Sequence, residues 1–286
     1  MSKRLTRADA QRPRKPDPDL LFEIHYYHDP DPEKPDGFAL FRDEQKQFDP
    51  TAWATWIGDS VTAAVVAARL EQQFVIQPEV KQPMKWHAGA TDQLEMQLVR
   101  RVASYPCNVV LTAHIADAYV EQPTPQGVRR SDRRVPMAET SEGRPILLQG
   151  ISAPGRLARD KGLVSQYAEV YRAYVVMGKK GPEWYLQTEP DGDWIVMSQL
   201  LAPDGARPDY KELWDNYKGP KTRPPVHAII YGHPGTKKST FAATFPTPTY
   251  VAAFDAYGKD MPYTRLGEVE EDESDLGVPI KRVYRA

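Results

Sequence analysis

Apolar and polar positions fall in short blocks along the chain, strand-sized runs alternating with stretches of helical spacing. LLFEIHYYH at 20–28 reads as a strand and the acidic, proline-rich HDPDPEKPDG at 28–37 as a loop. FALFRDEQKQF predicts a short helix, and Asp49-Pro50 opens a further turn. WATWIGDS at 53–60 is apolar and aromatic up to Asp59, the pattern of a buried strand with a carboxylate at its C-terminal end; VTAAVVAARLEQQF then has helical spacing. Residues 75–90 break the pattern with Pro78, Pro83 and Gly89, and ATDQLEMQLVRRVASY at 90–105 predicts a second amphipathic helix. CNVVLTAHIAD at 107–117 has the continuous apolar run of a strand buried on both faces, ending in the polar Thr112 and His114.

The second half changes character twice. Residues 121–165 are polar, proline-containing and arginine-rich, and predict a long functional or mobile loop. VYRAYVVMG, EWYLQTEP and DWIVMSQ, within 170–199, predict antiparallel strands joined at Gly178-Lys179-Lys180-Gly181-Pro182 and Asp191-Gly192-Asp193. DYKELWDNY predicts a short helix, and KGPKTRPP (218–225) a linker. VHAIIYG (226–232) and TYVAAFD (249–255) then read as buried strands, with a helix from Lys238 to Thr244 between them, and IKRVYRA (280–286) as a third strand. No internal repeat is visible.

A length of 286 residues allows one large domain or two small ones, and 27 prolines predict short elements. The single Cys107 excludes an intrachain disulfide and a cysteine-built metal cluster, and points to a reducing, cytoplasmic setting. No stretch has the length and apolarity of a membrane span or a signal peptide. The net charge of −2 hides an uneven distribution, with a basic leader at 1–19 read as a flexible tail, and an acidic run, Glu268 to Asp275, read as a solvated segment.

The chemistry concentrates at GHPGTKKS, Gly232 to Ser239. It nearly fits the phosphate-binding pattern G-x-x-x-x-G-K-[ST], with Lys237 where the second glycine belongs. An apolar strand precedes it and a helix follows. Gly232, His233, Pro234, Gly235, Thr236, Lys237, Lys238, Ser239 and Thr240 thus form a candidate nucleotide cradle, in which backbone N–H groups hold phosphates, Lys238 adds a point charge and Ser239 a magnesium ligand. A side chain at 237 either crowds the loop or adds a cation near the phosphates.

Three further residues complete a nucleotide site on paper. Asp59, at a strand end before a helix, suits the second acidic position of the Mg2+ shell. Asp255 closes the strand after the loop helix and is the candidate base that orients water. His114 ends a third strand, where a polar residue can report on the γ-phosphate. Arg129, Arg130, Arg133 and Arg134, with Arg144, lie in the long loop as candidate contacts to a nucleic-acid backbone. Lys179 and Lys180, in a strand turn, are candidates for reaching a neighbouring subunit's nucleotide. His25, His28, Asp29 and Asp31 look metal-like, but a strand places the two histidines on opposite faces and no metal-loop spacing is present.

These segments resemble a known family. AIIYGHPGTKKSTFAATFPTPTYVAAFD with GKDMPY, TWIGDSVTAA and NVVLTAHIAD are similar to phage-encoded RecA-like P-loop ATPases of the AAA-domain type associated with single-strand annealing proteins. The resemblance implies ATP and Mg2+ as cofactors, single-stranded DNA and an annealing or DNA-binding protein as partners, and a homo-oligomer acting in recombination, repair or replication. In that family the phosphate loop comes first, whereas here Asp59 and His114 precede it. Reading from about 221 to 286 and then from about 18 to 218 restores the family order, a circular permutation.

The expected fold is therefore α/β, a RecA-like P-loop NTPase whose mostly parallel sheet is flanked by helices and carries an antiparallel extension. A basic tail at 1–19 precedes one ATPase domain at 20–286, made of a Walker B-like half at 20–217, the linker at 218–225 and a Walker A half at 226–286. The 66 residues from 221 to 286 are too few to bury a nucleotide core alone, so both halves are expected in one sheet. A nucleotide-regulated scaffold with little turnover, and a small-molecule phosphotransferase, are the alternative functions.

Overall fold

The computed structural model describes residues 19–29, 31–114, 118–124, 127–135, 167–188, 210, 211, 215, 225–255, 268–273 and 279–285. In chain order they form β1 (Leu20–Tyr26), α1 (Gly37–Gln47), β2 (Thr55–Asp59), α2 (Val61–Glu71), α3 (Pro83–Leu94), β3 (Asn108–His114), β4 (Ala118–Thr124) and β5 (Gly127–Val135). There follow β6 (Glu169–Gly178), β7 (Gly181–Gln187), β8 (His227–Gly232), α4 (Lys238–Ala242), β9 (Thr249–Ala253), β10 (Glu268–Glu273) and β11 (Pro279–Arg285).

Nine strands build one sheet in the order β10-β11-β1-β9-β2-β3-β8-β6-β7, and β4 and β5 pair separately. The six strands from β1 to β6 in that order run parallel; β11 pairs antiparallel with β1 and β10 antiparallel with β11 at one edge, and β7 pairs antiparallel with β6 at the other. This is the α/β, mostly parallel mixed sheet expected from the apolar runs. Strands from the two halves alternate, since β8 lies between β3 and β6, and β9 between β1 and β2.

Continuous apolar strands are needed because both faces are covered. Trp56, Val109, Leu111, Ile229 and Tyr250 are buried in one cluster with Phe38 and Phe41 of α1 and Ala64 and Ala68 of α2. Their sequence neighbours Ile57, Val110, Ile230 and Val251 are buried in another, with Phe241 and Ala242 of α4. The period of two thus sends alternate side chains to opposite layers. Each fully buried side chain of this kind contributes about 1.5–3 kcal/mol.

Several local expectations change. The break expected at 75–90 holds the start of α3, because Pro83 stands at the first helical turn, where its missing N–H costs nothing. Gly89 falls inside this helix, where a Cβ would run into the Gln72 side chain. The acidic run at 268–273 is strand β10, and its register sets Glu268, Glu271 and Asp272 opposite Arg285, Arg282 and Lys281 of β11.

The start of the region read as a long loop is the hairpin β4–β5, so Arg129, Arg130, Arg133 and Arg134 stand on a strand, with Arg130 opposite Glu121 and Arg129 opposite Gln122. Arg144, the tail at 1–18, the expected strand DWIVMSQ, the turn at 191–193 and nearly all of the linker 218–225 lie outside the described residues. No helix among the described residues is long and apolar enough to cross a membrane.

Candidate active site

Parallel strands place their carboxyl ends on one side of the sheet, which is where α/β folds hold ligands. Asp59 closes β2, His114 closes β3, Gly232 closes β8, and Asp255 follows β9 after Phe254. The register is consistent with this, since Asp59 pairs with Ala253 and His114 with Gly232. Four chemistry-bearing residues separated by up to about 200 positions in the chain thereby share one rim.

The loop from His233 to Lys237 joins β8 directly to α4. A Cβ at Gly232 would collide with Ala173 O of β6, so glycine is required by close backbone approach. Gly235 has φ 79° and open space around it, so there the demand is conformational. Thr236 closes the turn on His233 O through its N–H at 3.3 Å and its hydroxyl at 2.8 Å. His233, Pro234, Gly235 and Lys237 are exposed, whereas Thr236 and Lys238 are buried. Ser239 and Thr240 are half-buried on the first turn of α4.

Lys238 folds back into the loop, donating from Nζ to Gly232 O at 3.1 Å and His233 O at 3.0 Å. Burial lowers its pKa, and the Asp59 and Asp255 carboxylates offset only part of that. The ammonium therefore sits in the field of both acids.

Asp59 is buried, and its Oδ1 accepts a short hydrogen bond from the Thr112 hydroxyl of β3. Its carbonyl accepts the Phe254 N–H at 2.8 Å, which ties β2 to the segment leading into Asp255. Ser60 caps α2 by accepting the Ala63 N–H at 3.3 Å. Burial raises the Asp255 pKa, but the neighbouring His114 side chain, the Ser60 hydroxyl and the charge of Lys238 outweigh it, so the carboxyl lies below its usual range. His114 Nε2 stands 3.6 Å from Asp255 Oδ2, and the His114 N–H donates to Thr62 Oγ1 at 2.9 Å. Lys238, Asp59, His114 and Asp255 are thus brought together, with Thr112, Ser60 and Thr62 holding them in place.

Lys237 is the only non-glycine with positive φ among the described residues, at φ 60° and ψ 33°. A left-handed backbone costs an L-residue roughly 1–2 kcal/mol. Its Nζ lies 3.6 Å from the centroid of the Trp184 ring, a cation–π contact worth about 0.5–1 kcal/mol at an exposed site. The Trp184 Nε1–H also donates to Gly235 O at 3.0 Å. Trp184 therefore belongs to the loop's surroundings, and the sequence offers no sign of it beyond an aromatic in a strand.

Lys179 and Lys180 are exposed at the β6–β7 turn, three residue pairs beyond Trp184, or about 10 Å along the strand. The arginines of β5 belong to the separate two-stranded sheet. In the metal-like cluster, His25 lies between Glu23 Oε1 at 2.7 Å and Glu44 Oε1 at 2.6 Å. Asp29 Oδ1 accepts the Asp36 and Gly37 N–H groups at 2.9 and 2.7 Å. Asp31 Oδ1 accepts the Glu33 N–H at 3.0 Å. Comparisons of the chain with family models, curated proteins and solved structures find no match.

Proposed function

We propose that the chain binds ATP with Mg2+ at the loop 232–240 and hydrolyses it in work on single-stranded DNA, as a RecA-like P-loop ATPase in permuted order. The observation that carries this reading is Lys238: a buried ammonium on the loop's own carbonyls, in the field of two carboxylates from neighbouring parallel strands. Such a lysine is arranged to exchange carbonyl partners for phosphate oxygens. Loop N–H groups and Lys238 bind the phosphate chain, and the Ser239 hydroxyl and Asp59 are the residues placed to hold Mg2+, with Thr112 fixing the Asp59 rotamer. Bound Mg2+ supplies charge neutralisation at the phosphate oxygens. Asp255, kept ionised by His114 and Ser60, accepts a hydrogen bond from the attacking water and orients it.

The permutation is supported by the register Leu20↔Arg285, which sets the start of β1 beside the end of β11. Joining there and opening at 218–225 gives the order of the resembled family. Arg129, Arg130, Arg133 and Arg134 on β5 are the proposed DNA contacts, and Lys179 and Lys180 the proposed reach toward a neighbouring copy in a homo-oligomer; an annealing protein is a proposed partner. Lys237 favours a second reading, a nucleotide-regulated scaffold, since a side chain stands where the loop pattern has glycine.

The test is magnesium-dependent ATP binding and hydrolysis, with and without single-stranded DNA, for the chain and for Lys238→Ala. DNA-stimulated turnover lost in the variant supports the ATPase. Tight binding without turnover supports the scaffold, and unchanged affinity in Lys238→Ala removes the nucleotide site.

A further inference from the structure

Two adjacent lysines leave the loop in different directions. Lys238 is buried against Gly232 O and His233 O, while the exposed Lys237 lays its Nζ 3.6 Å from the centre of the Trp184 ring. Trp184 holds the loop a second time through its N–H to Gly235 O at 3.0 Å. One side chain of β7 therefore grips residues 235 and 237, on either side of the buried Thr236.

This grip has a competitor. An indole face attracts an ammonium through its quadrupole alone, whereas a phosphate oxygen carries formal charge and accepts a charge-assisted hydrogen bond. Lys237 is next to Lys238 in the chain, on a flexible four-carbon stem, so phosphates seated on the loop lie within its range. A terminal phosphate adds charge that a diphosphate lacks.

We propose that Lys237 is a specificity-determining residue that favours nucleoside triphosphate over diphosphate, and that Trp184 is the positioning residue that holds its ammonium until the terminal phosphate takes it. This rests on the reading of the loop as a nucleotide site. The step is an exchange of non-covalent partners, in which the ammonium leaves the indole face for a phosphate oxygen and no bond to a heavy atom forms or breaks. It also loosens one attachment between β7 and the loop, so the β6–β7 hairpin senses which nucleotide is bound.

The experiment titrates the full chain, Lys237→Gly and Trp184→Phe with ATP and ADP, each with magnesium, by calorimetry and indole emission. The chain has six tryptophans, so subtraction of the Trp184→Phe signal isolates Trp184. Lys237→Gly is expected to weaken ATP about threefold to tenfold, the range of a charged hydrogen bond discounted for exposure, with ADP affected by less than about twofold. Trp184 emission should shift with ATP and stay unchanged with ADP, and the ATP shift should vanish in Lys237→Gly. An unaltered ATP-to-ADP preference in Lys237→Gly, or Trp184 emission indifferent to ATP in a chain that binds it, overturns the proposal alone. A chain that binds neither nucleotide overturns it together with the loop reading.

Discussion

His114 Nε2 and Asp255 Oδ2 approach to 3.6 Å across the end of β2, joining a residue from β3 to one beyond β9. Their separation exceeds a well-formed hydrogen bond, so the pair is positioned without being locked. Because the Asp255 pKa lies below its usual 3.8, the carboxylate is ionised at neutral pH and can accept a hydrogen bond from water. On the proposed mechanism, Asp255→Asn lowers the ATP turnover number about 10²–10⁴-fold while changing ATP affinity much less. His114→Gln lowers turnover by a smaller factor, because it loses the orienting partner and not the acceptor. Single-turnover hydrolysis and equilibrium binding measure the two effects separately, and parallel loss of binding in Asp255→Asn would count against the assignment.

The two loop glycines should respond differently to alanine. At Gly232 the new methyl meets Ala173 O of β6, so strands must shift, at a cost of about 1–3 kcal/mol. At Gly235 space is open, and the cost is the left-handed φ of 79°, roughly 1–2 kcal/mol. Amide exchange separates them. Gly232→Ala should speed exchange along β6 and β8, whereas Gly235→Ala should leave those strands protected; equal protection in both variants would sink the distinction.

Apolar runs made the parallel strands legible, since Ile57, Val110, Ile230 and Val251 must be buried whichever way the strands are ordered. The loop was legible for a similar reason, because a glycine- and lysine-bearing turn between strand and helix admits few structures. Trp184 was not, because its contact with residues 235 and 237 arises from pairing between β6 and β8, a relationship with no local signature. Strand β10 was hidden by its acidic sequence, because the register that pairs it with β11 has no local signature. Helix α3 was obscured because Pro83 and Gly89 read as breakers, although one occupies a first turn and the other a tight helix contact.

The neighbouring ends of β1 and β11 make a specific relinking testable. A chain joined from Arg285 to Leu20 by a short turn and opened within 218–225 keeps every strand pairing of the sheet. It is expected to unfold cooperatively within a few degrees of the parent, since loop-closure entropy varies slowly with length. Loss of the cooperative transition in this relinked chain would contradict the permuted reading.

A half-buried polar cluster joining β1 to α1 and β11 fixes how stability should follow pH. Glu23 Oε1 accepts from Lys281 Nζ at 2.8 Å, and His25 bridges Glu23 and Glu44. The Tyr27 hydroxyl donates to Glu44 Oε2 at 2.6 Å and the Tyr250 hydroxyl to Glu44 Oε1 at 3.1 Å. Burial raises the Glu23 pKa, yet the His25 hydrogen bond and the Lys281 charge overcome it and hold the carboxyl at about 2 against an ordinary 4.5. Glu44 is lowered for the same reason, with His25 its main partner against burial. Burial disfavours the charged His25, but its two carboxylates raise its pKa above 6.5. The glutamates therefore stabilise the fold fully above about pH 4.5, and lose that contribution as pH falls toward 2. His25 does the reverse, contributing fully below pH 6.5 and losing its share as pH rises through its folded value. The cluster is strongest between these limits, so urea unfolding should show its contribution greatest near pH 5–6. His25→Gln should flatten the decline on the alkaline side and reduce stability most in the mildly acidic window. A variant whose deficit grew above pH 7 would reverse the sign required by the geometry.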